Sequence, residues 1–409
     1  MVETGVATRG DLARDLIDAP KESGLLRVAV ICDLIEENWP SMDLVADMLL
    51  KNLRSNYSER LSVTGVRPRL ARRFGHIPKL RGRRVGFNAD RLINRFWYYP
   101  RLLRDKRDEF DIFHIIDHSY AHLARELPGE RTIVTCHDLD AFRCLLDPSR
   151  ERRGRAFKAM TGRILDGFRR AARITCDSAA TRDELLEHSI VPAERMTVVP
   201  NGVHPSCSPD PDPTSDARAE RLLGPAGGEA IEILHVGSVI KRKRIDTLLE
   251  VFALAVKEFP QARLIRVGGQ FTSEQVKMVE KLGIGRSIKV LPFLDREVLA
   301  AVYRRAAVVL QPSEGEGFGL PIIEAMACGT PVIASDLAVL REVGGESTRF
   351  CPVGDVEVWR RAVVESLCER TNYPAKWGER KAAGIRHAAR FSWAEYARRM
   401  AELYSEISQ

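Results

Sequence analysis

The chain has no Cys-x-x-Cys pair among its eight cysteines, and no apolar run of the ~18 residues that a membrane helix needs. Cysteines 32, 136, 144, 176, 207, 328, 351 and 368 mostly sit inside apolar runs. That pattern argues against a zinc framework or a disulfide-stapled scaffold. It reads as small buried hydrophobes in a reducing, cytoplasmic compartment. Residues 1–24 carry charges of both signs and lack the apolar core of a signal peptide, so a disordered or loosely ordered lead-in is expected. No aromatic stacking platform accompanies the basic residues, which places nucleic acid low among partners.

What remains is ordinary in composition. With 409 residues, 44% apolar and 29% charged, the chain has room for two separate cores. The net charge of +7 is unevenly spread. Arg67, Arg69, Arg72, Arg73, Lys79, Arg81, Arg83 and Arg84 follow one another with no acid between them. Leu70, Phe74, Ile77 and Leu80 are interleaved. A second basic region, 150–173, carries Phe157, Met160, Ile164 and Phe168 at helical spacing. Apolar residues beside a basic face suit an anionic membrane surface, and a solvated helix face is the competing explanation.

Periodicity divides the chain. Short apolar runs at Leu26–Cys32, Leu61–Thr64, Asp111–Ile116, Thr132–Thr135, Arg173–Thr175 and Met196–Val199 read as buried strands. Amphipathic segments separate them, and strand alternating with helix implies a parallel sheet. After Asn201-Gly202 come Pro205, Pro209, Pro211, Pro213 and Pro225, the strongest boundary in the sequence. A second alternating series follows, with strands expected at Ile231–Val236, Ala262–Val267, Ile288–Leu291, Ala307–Leu310 and Val332–Ala334. The predicted division is a first Rossmann-like domain over 25–203, a linker over 204–229, a second over 230–386, and a C-terminal helical segment over 387–409.

The most informative stretch is Gln311-Pro-Ser-Glu-Gly-Glu316-Gly-Phe-Gly-Leu-Pro321-Ile-Ile-Glu324-Ala-Met-Ala-Cys-Gly329-Thr-Pro331. An apolar run ends in a Gly-rich acidic loop that feeds a helix. Pro321 falls in the first turn, and Gly329 stops it. The N–H groups of Phe318, Gly319 and Leu320 are expected to point out of the helix N-terminus as an anion site. Glu316 and Glu324 flank that site, and carboxylates accept hydrogen bonds from hydroxyls. Anion donors between two carboxylates fit a nucleotide-sugar. Balance of the helix dipole is the plainer reading of the two glutamates.

This stretch resembles the signature of glycosyltransferase family 4, whose members are retaining enzymes of the GT-B fold. The resemblance implies an α/β architecture of two doubly wound Rossmann-like domains with a cleft between them, and a C-terminal crossover helix. It implies that Glu324 binds the ribose and Glu316 the transferred sugar, with Phe318, Gly319 and Leu320 offering backbone N–H. It places the base near Phe293. The turn Gly237-Ser238-Val-Ile-Lys241-Arg242-Lys243-Arg244 follows a strand, and Lys243 aligns with the family lysine that holds the diphosphate. Many members have arginine where this chain has Ser238; Arg242 or Lys241 is the substitute. His137, in Thr135-Cys-His137-Asp138-Leu, aligns with a histidine that touches the donor sugar. His114, Asp117 and His118 form a second polar cluster, in which Asp117 reads as a helix cap.

The expected function is transfer of a hexose from GDP-mannose or a UDP-hexose to a saccharide or lipid-linked acceptor, in cell-surface polysaccharide synthesis. No metal and no cofactor beyond the donor substrate are expected, since a cationic turn can balance the leaving diphosphate. The expected location is the cytoplasm, with peripheral association at the inner membrane face through Arg67–Arg84. A nucleotide-sugar epimerase on the same fold and a non-catalytic membrane-docking protein are the alternatives. The loop Glu36-Glu37-Asn38-Trp39-Pro40-Ser41 departs from the Gly-Gly loop of many members, and Ser41 reads as an N-cap.

Overall fold

The structure, a computed structural model, describes residues 24–74, 84–149, 151–225 and 230–409. The lead-in up to residue 23, the 75–83 part of the basic stretch, Arg150 and the 226–229 end of the expected linker lie outside the described residues. Two units divide the chain. One holds the residues up to Pro200 together with Trp393–Gln409, and the other holds Asn201–Ser392.

The first unit is built on six strands: β1 (Leu26–Ile31), β2 (Leu61–Val66), β3 (Ile112–Ile115), β4 (Thr132–Cys136), β5 (Arg173–Cys176) and β6 (Met196–Val198). They pair in the order 2-1-3-4-5-6, all parallel. A parallel pair cannot be closed by a hairpin, so each step needs a crossover, and both faces become buried. The near-continuous apolar character of β1, β3 and β4 follows from that burial. The helix Trp393–Ile407 packs on Pro40–Asn56. His114, fully buried in β3, fastens this terminal helix to the sheet. Its Nδ1 lies 2.7 Å from the Tyr404 hydroxyl and its Nε2 2.7 Å from Thr135 Oγ1.

The second unit repeats the plan with β7 (Ile231–Val236), β8 (Ala262–Val267), β9 (Ile288–Leu291), β10 (Val308–Gln311), β11 (Val332–Ser335) and β12 (Thr348–Cys351). The order is 12-11-10-7-8-9, again parallel. Connections run outward from β7 on one side and from β10 on the other. The chain therefore reverses direction between β7 and β10, and the turns after those two strands splay apart at their carboxyl ends. In open α/β sheets that is where ligands bind.

Several boundaries differ from the sequence reading. The 204–229 segment is largely folded. Asp212 accepts a hydrogen bond from Thr214 N and caps the helix Pro213–Leu223, whose Ser215 and Ala219 are buried. Arg304 pairs with Asp216 at 2.6 Å and fixes that helix to the second unit. Proline at the first helical position favours a helix, which the count of prolines concealed. Residues 201–203 also belong there, since Val203 N donates to Phe391 O at 3.1 Å. The terminal helix begins at Trp393 rather than 387, because His387 still bonds Val343 O at 2.8 Å. Ser41 is not an N-cap: the helix Pro40–Asn56 starts two residues before the place such a cap implies, and its N-cap, Trp39, makes no side-chain capping bond. Leu70, expected among the basic residues as membrane-facing, is buried in the first core, and Arg67 pairs with Asp47 at 2.8 Å. All eight cysteines are free, and most are buried. Among the described residues no helix is long and apolar enough to cross a membrane.

Because Ala219 is fully buried, Ala219→Asp places an unpaired carboxylate in the second unit. The expected cost is about 3 kcal/mol or more, read as a lowered denaturant midpoint. An unchanged midpoint would show that 213–223 is a tether and not part of the fold.

Candidate functional site

The turn after β7 and the loop after β10 meet at the switch point of the second sheet. Their meeting is built on one carboxylate. Glu316 Oε1 accepts from Lys243 Nζ at 2.5 Å, Gln311 Nε2 at 2.5 Å and Ser313 Oγ at 2.6 Å. On its other side, Arg242 Nη1 stands 3.4 Å from Oε2 and donates to Gly315 O at 2.8 Å. Glu314 N donates to Arg242 O at 2.8 Å, so backbone as well as side chains joins the two segments. Burial opposes ionisation of Glu316, but the Lys243 ammonium and the Arg242 guanidinium outweigh it and hold the carboxyl at about 2. Of the two candidates to replace the family arginine, Arg242 reaches the loop, while Lys241 is exposed.

The helix Leu320–Ala327 starts directly beyond. Gly319 is its N-cap with φ +104°, and a Cβ there would stand 2.8 Å from Leu340 Cδ2. Only glycine fits both the backbone and the space. Phe318 is buried against Phe391, ring centroids 5.8 Å apart. Glu324, on the same helix, is buried. Its Oε2 accepts from the Tyr303 hydroxyl at 3.0 Å, and its Oε1 lies 3.5 Å from Arg296 Nη1. Burial raises its pKa, because one guanidinium at that distance and one phenol do not offset desolvation. Phe293 follows β9 at the same sheet edge and is exposed, leaving its ring face open. Gly237 and Ser238 form the turn directly after β7.

His137 stands apart from this group, at the carboxyl end of β4 in the first unit. Its Nδ1 lies 2.6 Å from Asp177 Oδ2 and its Nε2 2.8 Å from Ile116 O. Both neighbours are acceptors, so both nitrogens donate and the ring is an imidazolium. Burial pulls its pKa down, but the Asp177 carboxylate prevails and lifts it to about 9. As placed, the ring has no nitrogen left to offer a sugar. Asp117 caps the following 3₁₀ turn through Ser119 N at 2.7 Å, and His118 stands 3.5 Å from it.

Sequence reasoning gave no role to Gln311 and Ser313, although both lie in the signature stretch. Their signal is positional: side chains five and three residues before Glu316 converge on it only once the loop is folded. Tyr303 and Arg296, a helix away from Glu324, leave no local signal. Asp33, after β1, was also missed. Its carboxylate is buried with neither oxygen hydrogen-bonded among the described residues.

The second unit carries this loop at the reversal point of a Rossmann-like sheet, and the first unit is built on another such sheet. The profile of the group 1 glycosyl transferases matches residues 224–383, and that of Glycosyltransferase Family 4 matches residues 46–206. Together the two matches span most of the chain, which belongs to the group 1, family 4 glycosyltransferases. A D-inositol 3-phosphate glycosyltransferase of Thermobispora bispora is 33% identical over 58% of this chain and 56% of its own length. The chain thus spans little more than half of that relative. An O-antigen chain mannosyltransferase B of Escherichia coli is 29% identical over 72% of this chain and 75% of its own. Among solved structures, HepE of Anabaena in complex with UDP-glucose superposes with a TM-score of 0.68 at 16% identity, covering 93% of this chain and all of that one.

Two of the buried histidines, His137 and His235 in β7, give a direct check. By proton NMR, His137 is expected to titrate near pH 9, with the Asp177 pair stabilising the first unit fully below pH 6.5 and losing that effect as pH rises through about 9. His235, which burial, Arg266 and Lys243 push down to about 3, is expected to be neutral already at pH 6.5. A His137 midpoint at 6.5 would mean that the Asp177 contact does not form.

Proposed function

We propose that the chain is a retaining hexosyltransferase that moves a sugar from a nucleotide-diphospho-sugar to a saccharide or lipid-linked acceptor in cell-surface polysaccharide synthesis. One observation carries this: Lys243, Arg242 and Glu316 converge at the β7–β10 reversal, beside the N-terminus of Leu320–Ala327. Breaking the C1–O bond of the donor leaves negative charge on a diphosphate. Two cations and free helix-end amides await that charge in a partly desolvated turn. Arrival of the diphosphate draws Lys243 toward it. Glu316 stays ionised and turns its freed lone pairs to the hydroxyls of the transferred sugar. Phe318, Gly319 and Leu320 offer backbone N–H, Glu324 takes the ribose hydroxyls, and Phe293 supplies a face for the base. The acceptor attacks from the leaving-group side, and the departing phosphate takes its proton, which retains the anomeric configuration.

The donor is a GDP- or UDP-hexose. The O-antigen mannosyltransferase relative supports mannose and a cell-surface product, while HepE holds UDP-glucose. Acceptor-dependent release of nucleotide tests the reading, and it separates a transferase from an epimerase or a scaffold. Lys243→Ala is expected to lower turnover by roughly 10²–10³; near-normal turnover would remove Lys243 from the mechanism.

Peripheral membrane association belongs to the same proposal, moved from its expected place. The helix Arg84–Ile93 and the π-helical turn Asn94–Tyr98 expose Val85 at 66% and Trp97 at 56%. Phe87 and Leu92 are exposed beside them, and Arg101 stacks on Trp97 at 3.5 Å. Arg72 and Arg73 are exposed on the adjoining segment, which Asp90 holds through Arg73 N at 2.8 Å. Apolar rings among arginines complement an anionic lipid surface. Co-sedimentation with phosphatidylglycerol vesicles is expected to fall with salt and with the pair Val85→Ser and Trp97→Ser. Equal sedimentation with neutral vesicles would end this part of the proposal.

A further inference from the structure

Arg266 lies in β8 with 0% exposure and, among the described residues, no ion pair. Nothing in the sequence singles it out. Burial lowers its pKa to about 10, with no carboxylate to offset that loss. Its guanidinium fork is filled by backbone. Nη2 donates to Gly237 O at 2.8 Å and lies 3.4 Å from Gly268 O, and Nη1 donates to Gly269 O. Those carbonyls belong to the two turns that follow β7 and β8.

This arrangement fixes the opposite side of the same peptides. Among the described residues no peptide bond is cis, and in a planar trans peptide the C=O and the following N–H point in opposite directions. Carbonyls drawn onto Arg266 turn the N–H groups of Ser238, Gly269 and Gln270 away from it. Among the described residues none of these three N–H groups donates to a backbone carbonyl. The space around the turns is uneven. A Cβ on Gly268 would stand 2.2 Å from Gly237 O, so the turns are in backbone contact there. A Cβ on Gly269 would meet nothing within 4 Å, so the second turn is open above. Lys243 Cε stands 3.7 Å from where a Cβ on Gly237 would be, which brings the ammonium chain beside the first turn. His235 lies against the same point, Cε1 at 3.3 Å, fully buried and with both ring nitrogens unpartnered.

We propose that Arg266 is a positioning residue that aims the amides of Ser238, Gly269 and Gln270 at one phosphate of a nucleotide diphosphate, with Lys243 on the neighbouring phosphate. The proposal rests on the glycosyl-transfer reading and names the phosphate subsite within it. A buried guanidinium without a counter-charge favours an anion above it. Fixed amides from two turns suit an oxyanion with several acceptor oxygens better than a single carbonyl. The neutral, unpartnered His235 adds no competing charge beneath the nest.

Inorganic pyrophosphate is the minimal probe. In amide NMR spectra of the full chain, pyrophosphate is expected to shift the Ser238, Gly269 and Gln270 resonances. Shifts confined to Phe318, Gly319 and Leu320, or no binding at all, would overturn the proposal. Arg266→Lys keeps charge but loses the fork, and Arg266→Met loses both. Pyrophosphate affinity is expected to fall by about tenfold or more in the methionine variant, with part of it restored in the lysine variant. Far-ultraviolet circular dichroism shows whether each variant is folded, and full affinity in a folded Arg266→Met would also overturn it. Transfer assays with GDP-mannose and UDP-glucose separate the two readings. A nest that binds pyrophosphate in a protein that moves no sugar sinks the transferase alone. Sugar transfer with silent nest amides sinks the nest alone.

Discussion

A buried carboxylate is tolerated only where its charge is met, and Glu316 is such a carboxylate. One oxygen receives an ammonium, an amide and a hydroxyl, and a guanidinium stands at the other. Remove the cations and the loop after β10 carries an uncompensated charge in a site that desolvates it. The pairing therefore does two things at once. It closes the loop after β10 onto the turn after β7, and under the proposed reading it holds two cations where a leaving diphosphate would need them. Under the proposed reading the same cations trade partners when a diphosphate arrives, and the pairing keeps the turn and the loop preorganised for it.

The sheet supplies the place for that pairing. β7 and β10 are neighbours in space but are separated in sequence by three crossovers, so residues some 73 apart become hydrogen-bond partners. Most of this was legible. Apolar runs gave the strands, because strands buried on both faces need no alternation. Glycine and proline gave the start and stop of the signature helix. β12 was not legible: Thr-Arg-Phe-Cys at a sheet edge is half-buried and carries a charge, so its run is broken. The helix Pro213–Leu223 was hidden by prolines that flank rather than break it. Leu70 and Arg67 looked like a membrane face because the partners that bury one and pair the other, the first core and Asp47, are remote in sequence.

Histidine shows the limit of motif reading most clearly. Position alone marks His137 as a site residue, since it follows a strand at the ligand edge. What its ring can do depends on Asp177 and Ile116, one on each side. Two acceptors make it a fixed cation, and a fixed cation can orient strands or raise the local potential but has no lone pair to give. Arg266 is the converse. It sits mid-strand, where a sequence pattern calls for an apolar side chain, and what it holds are glycine carbonyls in the turns after β7 and β8, one earlier in the chain and one later.

The two signature glutamates are both buried, yet their pKa values are shifted in opposite directions. Glu316 meets two cations and stays ionised; Glu324 meets one guanidinium at the edge of contact and a phenol, and its proton is held more tightly. Under the proposed reading that asymmetry is useful. Where charge develops on the sugar ring, an ionised carboxylate stabilises it and accepts from hydroxyls. Where a ribose must be recognised, a buried carboxylate accepts from its hydroxyls, and Arg296 beside it offsets part of the charge that it adds near the diphosphate. Pairs of titratable groups whose surroundings drive them apart divide the work of a site. Here the division follows from which cations the two crossover turns deliver, not from the glutamates themselves.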